Sequence, residues 1–218
     1  MFRAGIDEAG RGPLVGPLVA ALVVLDSQGE ELLREAGVAD SKTLAPARRE
    51  ALVPLITEHA LLHTIITAEP ERIDAALDDP NSNLNLLEAE LTAELLGSLP
   101  NGSGFVVIDL PTRSKESYEA AIRSFGHVPR DVSLVLEHKA DANHVACAAA
   151  SILAKVERDR LVRLLESRIG APIGSGYPSD PKTKAFLLSH GTSHPHVFRR
   201  TWTSYTARYG SRGQRTLI

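Results

Sequence analysis

The sequence predicts an α/β protein: a mixed five-stranded sheet flanked by helices, with a small helical extension at the C-terminal end. Three observations predict it. Five short apolar runs are rich in β-branched residues and bounded by turn residues. Helical patterns separate the later runs, as connections between strands in an α/β sheet do. After the Gly/Pro-rich stretch "GAPIGSGYPSDP" (170–181) only helical segments follow.

"FRAGID" (2–7) reads as a short buried strand and "LVAALVVL" (18–25) as a second. About ten residues separate them, which suits antiparallel pairing. "ALLHTIITA" (60–68) is a third strand. "LNLLEAELTAELLG" (84–97) is an amphipathic helix, with Leu84, Leu87, Leu91 and Leu95 on one stripe and Glu88, Glu90 and Glu94 off it. Asn83 can cap its start, and Gly97 sits where a helix stops. "GFVVID" (104–109) and "DVSLVLEH" (131–138) are the fourth and fifth strands, and between them Ser114 caps a helix over 114–125. A long helix is expected from about Asn143 to Ser167; its "ACAAASILAK" half is made of small residues that let it lie close to a sheet. "PKTKAFLLSH" and "TWTSYTARYG" supply the final helical pieces. The expected division is a catalytic body over 1–170 and an extension over 171–218.

At 218 residues, 43% hydrophobic and 23% charged, the chain has the composition of an ordinary globular protein. One cysteine, Cys147, excludes an internal disulfide and fits a reducing compartment. The N-terminal residues lack the apolar run of a signal peptide, and no run approaches the ~20 residues that span a bilayer. The expectation is a cytoplasmic protein with no membrane partner. The net charge of −3 is unevenly spread: residues 160–218 carry +8 and the remainder −11. A basic segment beside an acidic body suits a phosphate-binding surface next to a cation site, although a solvated basic face gives the same count.

"GIDEAGRG" (5–12) ends an apolar run in two adjacent acids, Asp7 and Glu8. Asp109 ends the fourth strand, and Asp141 lies just past the fifth. If these strands are parallel neighbours, the acids meet at the carboxyl edge of the sheet, where α/β folds place their sites. Singly, Asp141 could be a helix N-cap and Asp109 a turn residue. Asp7 is harder to dismiss, because an acid amid apolar residues is costly to bury. For Glu8 to join it, the chain must leave strand geometry, and Ala9-Gly10 is the place for that. Gathered carboxylates repel unless a cation joins them. Hard oxygen ligands suit Mg²⁺ or Mn²⁺, and two such ions can activate water and stabilise a leaving oxygen in phosphodiester hydrolysis. His190, His194 and His196 lack a zinc-site pattern, and Cys147 among alanines reads as a small core residue.

Several blocks in order carry a resemblance: "GIDEAGRGPLVGPLV", "DSKTL" (40–44), "VVID" (106–109), "HKADANHVACAAASILAKVERDR" (138–160) and "GSGYPSDPKT" (174–183). The chain resembles ribonuclease HII, the type 2 ribonuclease H, and "HPHVFRRTW" looks closest to the archaeal branch. The resemblance implies a ribonuclease H-like fold and a four-carboxylate catalytic and metal site on Asp7, Glu8, Asp109 and Asp141. It implies hydrolysis of the RNA-containing strand of RNA/DNA hybrids. It further implies cutting 5′ to a single ribonucleotide in duplex DNA, leaving 3′-hydroxyl and 5′-phosphate ends. Gly10, Arg11 and Gly12 then correspond to the loop that reads the ribose 2′-hydroxyl. Tyr177 corresponds to a tyrosine that packs on the following sugar, and Lys42 to a lysine that meets a backbone phosphate. Lys139 and Lys155 fall in matching blocks with no role beyond possible phosphate contact. In some members the C-terminus carries a sliding-clamp peptide. Gln214 and Leu217 fit its opening, but the aromatic pair is missing, so the tail reads as disordered and clamp binding is not expected. A monomer is expected.

Two other readings compete: a metal-dependent phosphatase or nuclease of other specificity on a related fold, and a non-catalytic module that binds the hybrid. Cleavage of a ribonucleotide-containing duplex against an all-DNA duplex separates the first. Metal-independent retention without cutting marks the second.

Overall fold

The computed structural model describes residues 1–38, 44–126 and 128–210. The elements run β1 (Phe2–Ala9), β2 (Leu18–Leu25), α1 (Ser27–Glu35), α2 (Pro46–His59), β3 (Leu62–Ala68), α3 (Pro70–Asp78), α4 (Leu84–Leu96), β4 (Gly104–Asp109), α5 (Lys115–Ser124), β5 (Val132–Glu137), α6 (Ala140–Asn143), α7 (Val145–Ile169), α8 (Pro181–His190), a 3₁₀ turn (Pro195–Val197) and α9 (Thr203–Tyr209). The five strands form one sheet in the order β3-β2-β1-β4-β5. β2 pairs antiparallel with β1, while β1, β4 and β5 are mutually parallel.

The chain divides into two compact units. The first takes residues 1–9, 19–66 and 85–157, and so holds the sheet core; the second takes 10–18, 67–84 and 158–218. The expected extension, 171–218, lies within this second unit, together with the segments 10–18, 67–84 and 158–170.

In the first unit the core is built on β2, all eight of whose residues are buried. Central strands covered on both faces read as unbroken apolar runs, which is why 18–25 shows no alternation. The small-residue half of α7 packs on β1. A Cβ added at Gly5 would lie 2.1 Å from Cys147 N and 2.3 Å from Ala146 C, so the strand backbone touches the helix backbone directly. Cys147 Sγ reaches Ile6 O at 3.3 Å, and Ala146 through Ala150 are all buried.

The strands match their expected places closely. The helices α1, α2 and α3 stand where no helix is expected. α2 has Pro54 in its interior, which masks it as a helix in the sequence. α2 and α3 both open on a proline in the first turn, where a missing N–H costs nothing. Glu88 is buried, with 4% exposure, although it lies off the leucine stripe. α4 also buries Ala89, Thr92 and Leu96, so it is enclosed on more sides than a one-stripe helix. The long helix starts later than expected, at Val145, after the separate turn α6; Asp141 lies inside that turn, not at an N-cap.

In the second unit the core gathers Leu14, Val15, Val162, Ile173, Phe186, Phe198 and Tyr205. Asp74 of α3 is fully buried and fixes the segment after Phe198. It accepts bonds from Arg200 N and Thr201 N, both at 3.0 Å, and from Thr201 Oγ1 at 2.8 Å.

The close approach at Gly5 makes a direct prediction. Gly5→Val should destabilise the protein by about 3 kcal/mol or more, because neither backbone can move aside cheaply. Urea unfolding checks it, and a midpoint equal to wild type would remove this contact from the account.

Candidate active site

Asp7 and Asp109 occupy equivalent places on neighbouring strands. Ile6 of β1 pairs with Ile108 of β4 in parallel register, and each acid is the next residue along. Parallel neighbours lie about 4.8 Å apart with matched side-chain directions, so both carboxylates leave the sheet at one edge. Asp109 in turn fixes the third acid's element, since its Oδ1 accepts Ala140 N at 2.9 Å at the start of α6. Lys139, immediately before, has left-handed backbone (φ 58°) without being glycine, and this kink turns the chain from β5 into α6. Asp141 sits in that helical turn with 1% exposure.

Glu8 is the residue after Asp7, still within β1. The pairing of β1 with β2 continues through Glu8 opposite Ala20 and Ala9 opposite Val19. The strand therefore stays regular past both acids, and the break comes at Gly10, where φ is +93°. The expected departure from strand geometry at Ala9-Gly10 comes at Gly10, directly after β1 ends. Glu8 is half-buried where Asp7 is 4% exposed.

The electrostatics show which groups share one environment. Burial pushes the Cys147 thiol well above its usual value, and the charges of Asp7, Asp109, Asp141 and Glu8 add to this in descending order. All four acids are thus felt at one buried atom, Glu8 least. Burial also raises the Asp7 carboxyl from 3.8 to about 6. A hydrogen bond from Ser151 and the charge of Lys155 oppose this rise, while Asp109 adds to it. Lys155 Nζ donates to Ser151 Oγ at 2.7 Å, and Asp7 Oδ1 accepts Glu8 N at 2.7 Å. Cys147, Ser151 and Lys155 are spaced by four on α7, so one helix face carries the groups that attend Asp7. Composition does not reveal Ser151; its spacing from Cys147 and Lys155 is the signal that could have found it.

Among the described residues, no three Asp, Glu, His or Cys side chains close on a point that an ion could occupy as they stand. The donor set nonetheless fits a divalent cation. It consists of hard oxygens, and added positive charge stabilises a buried acid beside a second acid as a carboxylate.

The second unit holds a different constellation. A Cβ on Gly12 would come 3.2 Å from Tyr177 Cε1, so the exposed Tyr177 ring lies beside the glycine loop. Leu14 N and Val15 N both donate to Gly176 O, at 2.8 and 3.3 Å, tying residues 10–18 to the tyrosine loop. Asp180 caps α8 through Lys182 N and also accepts Ser175 N at 2.7 Å; these bonds hold its carboxyl down at about 2. Arg158 donates to Ser175 O at 3.0 Å, and its guanidinium lies 5.8 Å from the centre of the Tyr177 ring. Burial lowers its pKa. Sequence reasoning passed over Arg158, which reads as one more cation on a long helix. His190, His194 and His196 form a row of rings at 5.6 and 6.1 Å that continues a Phe186–His190 stack. Lys42, Gln214 and Leu217 lie outside the described residues.

The family model "Ribonuclease HII" matches residues 4–205. The chain is 42% identical to a ribonuclease HII of Thermococcus onnurineus over 93% of this chain and 87% of the relative. Its fold superposes on the crystal structure of ribonuclease H2 from Pyrococcus horikoshii OT3 with a TM-score of 0.84, at 36% identity, covering 95% and 96% of the two chains. It is also similar to the Archaeoglobus fulgidus chain solved as a PCNA:RNase HII complex (TM-score 0.80, 34% identity, 100% and 98% covered). No helix among the described residues is long and apolar enough to cross a membrane.

The raised pKa of Asp7 predicts a pH-dependent stability. The folded state holds this proton more tightly than the unfolded state, so the contribution is full below about 3.8 and is lost as pH rises through about 6. In EDTA, wild type should lose up to about 3 kcal/mol from this group between those limits. Asp7→Asn should flatten that part of the profile and be the more stable protein at pH 7. Urea titrations at pH 4 and pH 7 check it, and parallel profiles for the two proteins would contradict the assignment.

Proposed function

The chain belongs to the ribonuclease HII family, and on that premise we propose that it hydrolyses the RNA-containing strand of RNA/DNA hybrids. It also cuts 5′ to single ribonucleotides embedded in duplex DNA, leaving 3′-hydroxyl and 5′-phosphate ends. The observation that carries this is that Asp7 and Asp109 lie in register toward the ends of the neighbouring parallel strands β1 and β4, while Asp109 holds the start of α6, which carries Asp141, through Ala140 N.

Asp7 and Asp109 are the residues to hold Mg²⁺ or Mn²⁺ at the scissile phosphate, with Asp141 and Glu8 completing the donor set. Such ions supply a water of lowered pKa and positive charge at the leaving oxygen. The protein supplies the rest. Burial of Asp7 and Asp141 keeps bulk water from competing for their oxygens. Ser151, by a hydrogen bond, and Lys155, by its charge, offset part of the desolvation and of the repulsion that Asp109 exerts on Asp7.

Gly10, Arg11 and Gly12 select the ribose 2′-hydroxyl, the one group that distinguishes RNA from DNA at a given sugar. Tyr177, beside Gly12, offers its exposed ring to the next sugar. Lys42 is assigned to a backbone phosphate. The basic side chains of residues 160–218, apart from the inward-turned Arg199, attract the duplex phosphates. Only Ala9 separates Glu8 from Gly10 in the chain, so acid and reader are covalently close. The Archaeoglobus relative solved with PCNA supports clamp association as a further partner, against which stands the absence of an aromatic pair in the tail.

Cleavage mapping on a duplex with one embedded ribonucleotide tests the proposal. Mg²⁺ or Mn²⁺ should give a single cut 5′ to the ribonucleotide, EDTA none, and an all-DNA duplex should stay intact. Asp141→Asn should lower turnover by roughly a hundredfold or more while retaining the fold by circular dichroism. Retention of the hybrid without any metal-dependent cut would favour a binding module, and equal cutting of all-DNA duplex would favour a nuclease of other specificity.

A further inference from the structure

Arg199 is fully buried, in the second unit, next to Phe198. A buried guanidinium is tolerated only where hydrogen bonds replace its lost water. Here its three nitrogens each donate to a backbone carbonyl of the glycine loop or its continuation: Nη2 to Gly10 O at 2.5 Å, Nη1 to Arg11 O at 3.0 Å and Nε to Gly16 O at 3.1 Å. Trp202, whose ring centre is 5.0 Å from the guanidinium carbon, adds a fourth bond from Nε1 to Gly12 O at 3.2 Å. The intervening Arg200 and Thr201 are anchored by buried Asp74, so Arg199 and Trp202 are held at a fixed separation.

The peptides here are trans, and in a trans peptide the N–H points opposite to the C=O. Carbonyls of Gly10 and Arg11 drawn onto Arg199 therefore turn the N–H groups of Arg11 and Gly12 to the other side. Two successive N–H groups facing one way make a receptor for an oxygen atom. We propose that Arg199, assisted by Trp202, is a positioning residue that sets the peptide planes of Gly10–Gly12 and thereby the ability of the loop to recognise a ribose hydroxyl. This rests on the reading of Gly10–Gly12 as the sugar-contacting loop. Lysine cannot replace arginine in this role, because its three N–H bonds diverge from one atom and cannot span carbonyls as separate as those of Gly10 and Gly16.

The test compares full-length wild type, Arg199→Lys, Trp202→Phe and Gly12→Ala. Substrates are a duplex with one ribonucleotide and a continuous RNA/DNA hybrid; KM, kcat and melting temperature are read for each. Arg199→Lys should raise KM on the single-ribonucleotide duplex about ten- to a hundredfold, with kcat within about threefold of wild type, as loss of charge-assisted hydrogen bonds implies. The penalty should be smaller on the continuous hybrid, which offers 2′-hydroxyls at successive registers. Trp202→Phe keeps an aromatic ring, though a smaller one, and removes the bond to Gly12 O, so it should show the same pattern at about two- to fivefold; it decides the matter if Arg199→Lys does not fold. A parallel fall of kcat and melting temperature on both substrates, with KM unmoved, would show a purely structural arginine and overturn the proposal. Gly12→Ala separates the two levels. If it raises KM while the Arg199 and Trp202 variants do not, the positioning role alone fails; if it leaves KM unchanged, the loop reading fails with it.

Discussion

The carboxylate cluster depends on the backbone contact between β1 and α7. With no side chain at Gly5, the strand lies against Ala146 and Cys147 of the helix. That approach is closer than any pair of side chains would allow, and it has two consequences. It brings the helix face carrying Cys147, Ser151 and Lys155 against the strand that carries Asp7. It also excludes water there, and this exclusion more than any neighbouring charge raises the Asp7 carboxyl. The alanines of α7 serve the same end: each small residue permits contact, and any larger one would hold the helix off the sheet.

Such a site is in tension with folding. Collecting acids in a dry place costs stability, because desolvation and like charge both oppose ionisation. The protein counters part of this from within, through the Ser151 hydroxyl and the Lys155 ammonium, and part through the amides of Glu8 and Ala140, which donate to Asp7 and Asp109. On the proposed reading, the remaining imbalance is what an added cation would relieve. A group held at about 6 is mostly charged at neutral pH, yet it is still short of positive partners.

Much of this was legible in the sequence. The strands declare themselves because β-branched apolar runs between turn residues have few other uses, and 18–25 and 104–109 match residue for residue. Asp7, Asp109 and Asp141 could be singled out because acids at strand exits are costly without a purpose. Other features were hidden for physical reasons. α2 was obscured by Pro54, whose lost hydrogen bond the helix tolerates. Glu88 looked exposed because a one-face pattern cannot report how many neighbours a helix has. Where β1 ends was also hidden, because it is set by β2 pairing as far as Ala9, a long-range fact.

Arg199 shows the limit most clearly. In the sequence it is one of two adjacent arginines in a basic segment, and its neighbour Arg200 is the more exposed of the pair. The usual inference from a basic segment is phosphate contact at the surface. The structure divides the pair: Arg200 engages Asp74 at the edge, while Arg199 turns inward to backbone carbonyls. If Gly10–Gly12 is the sugar-contacting loop, as proposed, its two glycines leave the backbone open to a sugar but do not fix its conformation, and Arg199 from elsewhere in the chain holds it. The order that glycine lacks at Gly10 and Gly12 is supplied by a rigid, multidentate donor. The sequence separation of almost the whole chain between the two makes the pairing invisible until the second unit is folded.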